Sequence, residues 1–548
     1  MLKRNLLLSL LSAVLLSLPW YTPFSGLILL IAWLPLLLLE EDFSRRSARG
    51  CWKYYTLTFL IWNLIATYWI YKATVFGAVG AVIGNSAQMV LIFALFRWVK
   101  KKTTTFIGYT FLAALWIAWE HFYFDAEISW PWLVLGNGFS KDIQLVQWFE
   151  YTGVLGGSLW VWLVNLALFA YLKLRITNYE LRATSDKLQG TGYKRRSNQL
   201  FIIHCSLFIF IVLPIVISLI RFHTYEEKAA PCNVVVVQPN IDPYNDKFTG
   251  MSTAEQLDIF LSLAATMTDS TTDYVIGPET ALYAIHLQNI SNYSDIRRLN
   301  NFIAQYPHLG LVIGATTFYT YDTDKRPTET ARKREGGYYD TYNTALHISA
   351  DTAIQFYHKS KLVIGAEKTP YPKFFRFLEN FYIDLGGNVG TCGIDSVRKV
   401  FKISGKPFRV GTAICYEGIY GRFYTEYIKN GANLMFIISN DGWWGNTAGY
   451  HQLLHQSSLR AVETRRSIAR SANTGISALI NQRGEIEQRT GWWEPAVLKS
   501  SINANEDITF YVRNGDMIGR LASFIFLLLS LYILSQTLLR RFSLTRQA

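Results

Sequence analysis

Residues 411–421 read GTAICYEGIYG. The small and apolar run VGTAI, from Val410, leads straight into Cys415, and Tyr416, Glu417 and Gly418 follow at once. A short apolar run bounded by glycine reads as a buried strand. This one carries a thiol to its carboxyl end, with an acid two residues later. A lone cysteine there is most often a small buried hydrophobe. The surrounding sequence has to decide between packing and chemistry.

Outward from that stretch the apolar period keeps switching. NVVVVQPN (233–240), DYVIGPE (273–279), LGLVIGATT (309–317), NTALHISA (343–350), FRVGTAICYE (408–417) and ANLMFIIS within 432–445 are strand-like. AEQLDIFLSLAATM (254–267), DIRRLNNFIAQY (295–306) and YTEYIKNG (424–431) have helical spacing, the last with a glycine stop. Strands alternating with helices predict an α/β domain with helices on its faces. KRPTETARKREGG (325–337) reads as a charged, solvated loop.

The rest of the chain is of another kind. Of 548 residues, 50% are hydrophobic, 17% charged and 15% aromatic, and the mean hydropathy is +0.15. That profile is a membrane protein with a large water-exposed part. Apolar segments near the length of a bilayer crossing lie at 5–19, 22–39, 54–71, 78–96, 104–120, 154–173, 201–220 and 518–539. The first follows Lys3 and Arg4, as a signal peptide would. No A-x-A-like site precedes Pro19 and Trp20, so it is expected to remain as a helix.

Charge tests this set. The linkers at 40–53, 97–102 and 173–198 and the tail at 540–548 are basic, whereas those around 20–22, 72–77 and 121–153 carry as cations Lys72 and Lys141. With the amino terminus inside, every basic linker falls inside. The net charge of +13 is then mainly a topology signal, and nucleic acid is not an expected partner. The expected organisation is a membrane domain at 1–221 with seven transmembrane helices, an extracytoplasmic domain at 222–517, and a final helix with a basic tail at 518–548. Of the five cysteines, Cys232 and Cys392 could pair in an oxidising compartment, leaving Cys415 free.

Three groups with complementary chemistry stand at or near strand ends: Glu279, which closes DYVIGPE, Lys359 in QFYHKSKL, and Cys415. Functional groups collect at the carboxyl ends of strands in open α/β sheets. A neighbouring ammonium favours a thiolate and stabilises a developing oxyanion. A carboxylate can take the thiol proton and later activate an incoming nucleophile. Cys, Lys and Glu suffice for acyl transfer through a thioester, with no metal or cofactor. Lys361 shares a strand face with Lys359, so spacing alone does not choose between them. HQLLH (451–455) has two histidines at helical spacing but Gln452 where a zinc protease needs Glu. GAVGAVIG (77–84) opens a membrane span and reads as helix packing. No G-x-S-x-G elbow occurs.

The words VVVVQPNI, VIGPETAL, YHKSKLVIGAE, GTAICYE and ISNDGWWG, in this order, resemble the carbon–nitrogen hydrolase (nitrilase) superfamily over roughly 230–510. That resemblance implies an α-β-β-α sandwich with Glu279, Lys359 and Cys415 as catalytic triad. Its Tyr-x-Lys pattern favours Lys359 over Lys361. Set before the last of about eight transmembrane helices in a membrane α-helical bundle, the domain is similar to the apolipoprotein N-acyltransferase family, and the resemblance then spans the chain.

It implies a multi-pass protein of the bacterial inner membrane, monomeric, with its catalytic domain on the periplasmic side. Its partners would be membrane lipids, a phospholipid acyl donor and a diacylglyceryl-lipoprotein acceptor. It further implies roles for Glu367, Tyr416, Glu417 and Trp443, and for Phe248 where the family has tryptophan. Asn440, Asp441 and Trp443 read equally well as turn and core residues. Two departures from the family pattern stand out: Gly277-Pro278-Glu279 in place of Trp-Pro-Glu, and Val363-Ile364-Gly365-Ala366-Glu367 in place of Val-Pro-Phe-Gly-Glu. Gly277 is expected to widen the pocket beside Glu279. The competing readings are a membrane-tethered amidase using the same triad, against which a body of eight spans argues, and a non-catalytic scaffold, against which an intact triad argues.

Overall fold

The computed structural model describes residues 2–184, 191–306, 308–350, 352–369, 371 and 391–545, without the side chains of 177–198, 248–249 and 541–545. Part of the basic linker at 173–198 and the end of the tail lie outside the described residues. The chain forms two compact units, one of residues 1–68, 79–224 and 516–548, the other of 69–78 and 225–515.

The first unit is helical. Among the described residues, five helices are long and apolar enough to cross a bilayer: Leu2–Trp20, Val75–Lys102, Val154–Ile176, Gln199–Thr224 and Met517–Arg540. The other expected spans fall short of that length or hydropathy. The segment at 54–71 becomes the helix Trp52–Thr67, and that at 104–120 becomes Thr105–Tyr123. The segment at 22–39 is broken into Gly26–Ile28, Leu29–Ala32 and Leu34–Arg45. A break in apolar surroundings strands backbone groups that water cannot reach. Asn165 meets the need: its Oδ1 accepts from the Trp33 N–H at 3.0 Å and its Nδ2 donates to the Leu29 carbonyl at 2.8 Å. Around the break Trp33 packs on Phe59, Trp62, Phe93, Trp116 and Trp162, with ring centroids 4.8–6.1 Å apart.

The second unit is built on two sheets. The first contains β1 (Pro231–Gln238), β2 (Tyr274–Ile276), β3 (Leu282–His286), β4 (Gly310–Tyr321), β5 (Arg332–Arg334), β6 (Gly337–Ser349), β7 (Thr352–His358) and, from further along the chain, β14 (Ala496–Asn503). Its order is β14-β1-β2-β4-β6-β5, with β3 beside β4 and β7 beside β6. The second contains β8 (Val400–Lys402), β9 (Arg409–Ile414), β10 (Leu434–Ser439), β11 (Ile468–Ala472), β12 (Ala478–Ile480) and β13 (Ile486–Arg489), in the order β13-β12-β11-β10-β9-β8.

Parallel neighbours need crossovers, and helices supply them. Thr253–Met267 joins β1 to β2, Gly421–Lys429 joins β9 to β10, and Ala448–Thr464 joins β10 to β11. Phe260, Leu257, Leu299 and Phe302, from the helices Thr253–Met267 and Ser294–Ile303, pack with Val235, Val275, Leu311 and Ile313 of the first sheet. Across the other face the two sheets meet. The Ser471 hydroxyl donates to the Val237 carbonyl at 2.8 Å, and Tyr274 stands edge-on to Phe436 at 5.3 Å. This is the expected α-β-β-α sandwich.

Two local expectations change. The stretch at 325–337 is not all loop: β5 pairs antiparallel with β6 through a turn whose Gly336 and Gly337 have φ of +75° and +150°, values that favour glycine. Cys232 and Cys392 are separate buried thiols, and all five cysteines are free.

Candidate active site

The strand of the opening stretch ends one residue earlier than expected. β9 stops at Ile414, and Cys415 starts the short helical turn Cys415–Ile419 with φ +52°. A left-handed backbone at a non-glycine residue is strained and persists only where its surroundings over-determine it. Glu417 does this. Its Oε2 accepts from the Ile414 N–H at 2.8 Å. Its Oε1 accepts from the Ser360 N–H and the Tyr357 hydroxyl, each at 2.7 Å. The acid two residues past the thiol thus ties the elbow to the segment that carries Lys359.

The other two groups arrive from the first sheet. Lys359 directly follows β7, its N–H held by the Asn343 carbonyl at 2.8 Å. Glu279 follows β2 on a turn that lies against Gly314 of β4. A Cβ at Gly314 would come within 2.5 Å of the Thr280 nitrogen and 2.6 Å of the Glu279 Cα. Thr280, next in the chain, has φ +49°. Gly277 does not widen the pocket: the place of its missing side chain is taken by Phe260 and Ile313, 2.8 and 3.0 Å from where a Cβ would stand.

The polar groups close into a cycle. Lys359 Nζ lies 3.0 Å from Glu279 Oε1 and 3.0 Å from Glu367. Asn343 Nδ2 donates to the same two carboxylates, at 2.8 Å each. The second oxygen of Glu279 accepts from the Asn440 N–H at 3.1 Å. The second oxygen of Glu367 accepts from the Val363 N–H at 2.9 Å, because the atypical loop 363–367 is a tight turn closed by a 2.9 Å bond from the Glu367 N–H to the Val363 carbonyl. Lys361 goes elsewhere: its ammonium sits 4.7 Å above the Tyr420 ring.

Burial and charge set the protonation of these groups. Burial opposes ionisation of Glu279, but the Lys359 ammonium, Asn343 and the Lys247 charge outweigh it and hold the carboxyl below the ordinary value. Burial also opposes the charge on Lys359, and Glu279 and Glu367 outweigh it, holding the ammonium well above its usual range. The thiol does not follow the expectation of a neighbouring ammonium freeing a thiolate. Burial first, and then the charge of Glu279, push Cys415 up to about 12 against the pull of Lys359. The resting site therefore holds a protonated thiol beside an ionised carboxylate, the arrangement a general base requires.

Of the remaining expected residues, Tyr416 is buried with its ring edge-on to Tyr420 at 5.3 Å. Trp443 packs edge-on to Tyr244 at 5.5 Å, and its carbonyl accepts the Tyr244 hydroxyl at 2.7 Å. The Phe248 side chain lies outside the described residues. Residues that the sequence reading missed include Asn343, Lys247 and Arg470, which pairs with Asp441 at 2.7 Å, fully buried. Asn440, left open between turn and site, contributes its backbone N–H. Among the described residues no group of three or more His, Cys, Asp or Glu is gathered to hold a metal ion.

The sandwich agrees with the comparisons to known proteins. Residues 233–506, half of the chain, match the model of the carbon–nitrogen hydrolase family, and the chain belongs to that family. Separately, residues 12–167 match the apolipoprotein N-acyltransferase N-terminal domain. The chain is 27% identical over 504 residues to the apolipoprotein N-acyltransferase of Chlorobaculum tepidum, covering 89% of this chain and 88% of the relative. It is 25% identical over 531 residues to that of Geobacter metallireducens, covering 94% and 92%. Among solved structures, an amidase from Nesterenkonia sp. is similar with a TM-score of 0.35 at 14% identity, covering 54% of this chain and 97% of that one.

Proposed function

We propose that the protein is an N-acyltransferase that moves a fatty acyl chain from a phospholipid, through a thioester on Cys415, to the α-amine of the diacylglyceryl-cysteine that begins a bacterial lipoprotein. The observation that carries this is the convergence of Cys415, Glu279 and Lys359 on a chain that also matches the N-terminal domain of that family.

In the first half-reaction Glu279 takes the Sγ proton as sulfur attacks the ester carbon. Lys359 faces the oxygen that becomes negative. The ester C–O bond breaks, the proton passes from Glu279 to the departing alkoxide, and a lysophospholipid leaves. In the second, the lipoprotein amine attacks the thioester, Glu279 takes its proton, and the Cys415 sulfur departs and is reprotonated. Glu367 and Asn343 hold Lys359 and Glu279 at one spacing through both steps.

The membrane domain at 1–221, the final helix at 518–548 and the alternation of basic linkers support a catalytic domain at 222–517 on the periplasmic side of the inner membrane. There both membrane-anchored substrates reach one monomer. Alkaline phosphatase fused within 320–337 is expected to be active and a fusion at 185 inactive; the reverse pattern overturns this topology. The reaction itself is tested by giving the full-length protein a phospholipid and a synthetic diacylglyceryl-cysteine peptide. An amide-linked third chain on the peptide is the expected product. Free fatty acid with an unmodified peptide would point to hydrolysis instead.

A further inference from the structure

The turn that presents Glu279 is gripped by a residue from a different part of the chain. Lys247 belongs to the loop after β1, and its side chain is buried, with 6% of its surface exposed. Its ammonium donates to the Thr280 hydroxyl at 2.8 Å and to the Glu279 carbonyl at 3.2 Å. A lysine is almost never buried without a reason. This one is delivered deliberately: the Lys247 and Asp246 N–H groups both bond to the Asp242 carbonyl, at 2.9 and 3.1 Å, and the Lys247 carbonyl accepts from Gln256 at 2.7 Å. The backbone on both sides of the lysine is fixed, so its reach to the strained Thr280 is set by the fold.

We propose that Lys247 is a positioning residue for Glu279, pinning the Glu279–Thr280 turn and supplying the second positive charge that keeps the carboxylate ready to accept the Cys415 proton. The inference rests on the reading of Glu279 as the base. The groups that face Glu279 are Lys359 after β7, Asn343 of β6, the Asn440 N–H after β10, Lys247, and the Cys415 thiol, with Glu367 across Lys359. One ammonium shared by two carboxylates leaves this cluster short of positive charge, and Lys247 is the cation that makes up the difference at Glu279. Burial brings Lys247 down to about 8, against the charge of Glu279, so its own charge is present at neutral pH and is lost above that.

The sign of the effect follows. Removing a cation near a carboxylate favours its protonated form. The Cys415 thiol of Lys247→Met should therefore lose reactivity at a higher pH than wild type does as acid is added. Above the pH where wild-type Lys247 is itself neutral, the two proteins should converge. Lys247→Arg keeps the charge and should keep the wild-type curve.

The test is alkylation of Cys415 by iodoacetamide in the full-length protein in detergent micelles, read by mass spectrometry of the Cys415 peptide between about pH 3 and pH 9. The reagent needs no lipid, so the measurement stands even if no phospholipid ever acylates the protein. We expect the acid limb of Lys247→Met to move up by about one pH unit and that of Lys247→Arg to stay in place. Lys247→Gln, neutral but able to hydrogen-bond, should behave like Lys247→Met, and it serves if the methionine variant does not fold by its thermal unfolding curve. A loss by one common factor at every pH, an unchanged profile, or an arginine variant that shifts like the neutral ones would each overturn the proposal.

Discussion

Two buried carboxylates flank Cys415, and they are handled in opposite ways. Glu279 shares the Lys359 ammonium and the Asn343 amide with Glu367. Glu417 has no ion pair among the described residues and is satisfied by backbone N–H groups and tyrosine hydroxyls. The consequence shows in their protonation. Glu279 is held below the ordinary carboxylate value despite burial, chiefly by Lys359. Burial pushes Glu417 above it, against the pull of the Ile414 and Ser360 N–H groups. A cation keeps a buried acid charged and available for proton transfer; hydrogen bonds alone make it a fixture. On the proposed mechanism the first carboxylate does the chemistry, and the second holds the elbow.

Substitutions can break this contrast, and the largest effect is expected at the thiol between the two acids. Cys415→Ser should show no acyl transfer while the protein still folds and inserts, since a serine hydroxyl is a much weaker nucleophile in this setting; full activity in that variant would end the assignment. Lys359→Ala should lower thioester formation by about 10²–10³, the scale of losing a preorganised charge at a developing oxyanion.

Glu417→Gln should act mainly on stability. Its amide would confront at least one N–H with another, at a cost of about 1–3 kcal/mol, read as a lower Tm with a smaller loss of rate. The two acids also differ in pH dependence. Glu279, depressed in the fold, contributes stability that is present above the ordinary carboxylate value and lost as pH falls. Glu417, raised in the fold, contributes stability that is present at low pH and lost as pH rises. Glu279→Gln should therefore flatten the acid-side fall in Tm, and Glu417→Gln should not. Lys361→Ala, whose ammonium rests on the Tyr420 ring, should change activity least, by no more than a few-fold.

The parts legible in the sequence were those in which continuous residues carry the signal. Short apolar runs marked β1, β2, β4, β9 and β10, and the words around Glu279, Lys359 and Cys415 marked three groups that the fold brings together. What the sequence hid is non-local. The break at Trp33 depends on Asn165, 132 residues away, so an apolar run that reads as one span is several short helices. Asn343 looks like an ordinary strand residue until its amide is seen bridging two carboxylates. Asn440 acts through its backbone, which no residue type reports. The glycine at 277 suggested space because its own side chain is missing, but Phe260, seventeen positions earlier in the chain, fills that space.

The central claim, that the ionised Glu279 takes the proton of a thiol that is otherwise un-ionised, is tested most directly by one turnover. Wild type and Glu279→Gln, full-length in detergent, would be mixed with a dipalmitoyl phospholipid and quenched at short times, and acyl-Cys415 counted by mass spectrometry. The account predicts that the glutamine variant forms acyl-enzyme more slowly by about 10²–10⁴, the scale of losing a general base. Acyl-Cys415 appearing in Glu279→Gln at the wild-type rate would contradict it, because the thiol would then be ionised without Glu279.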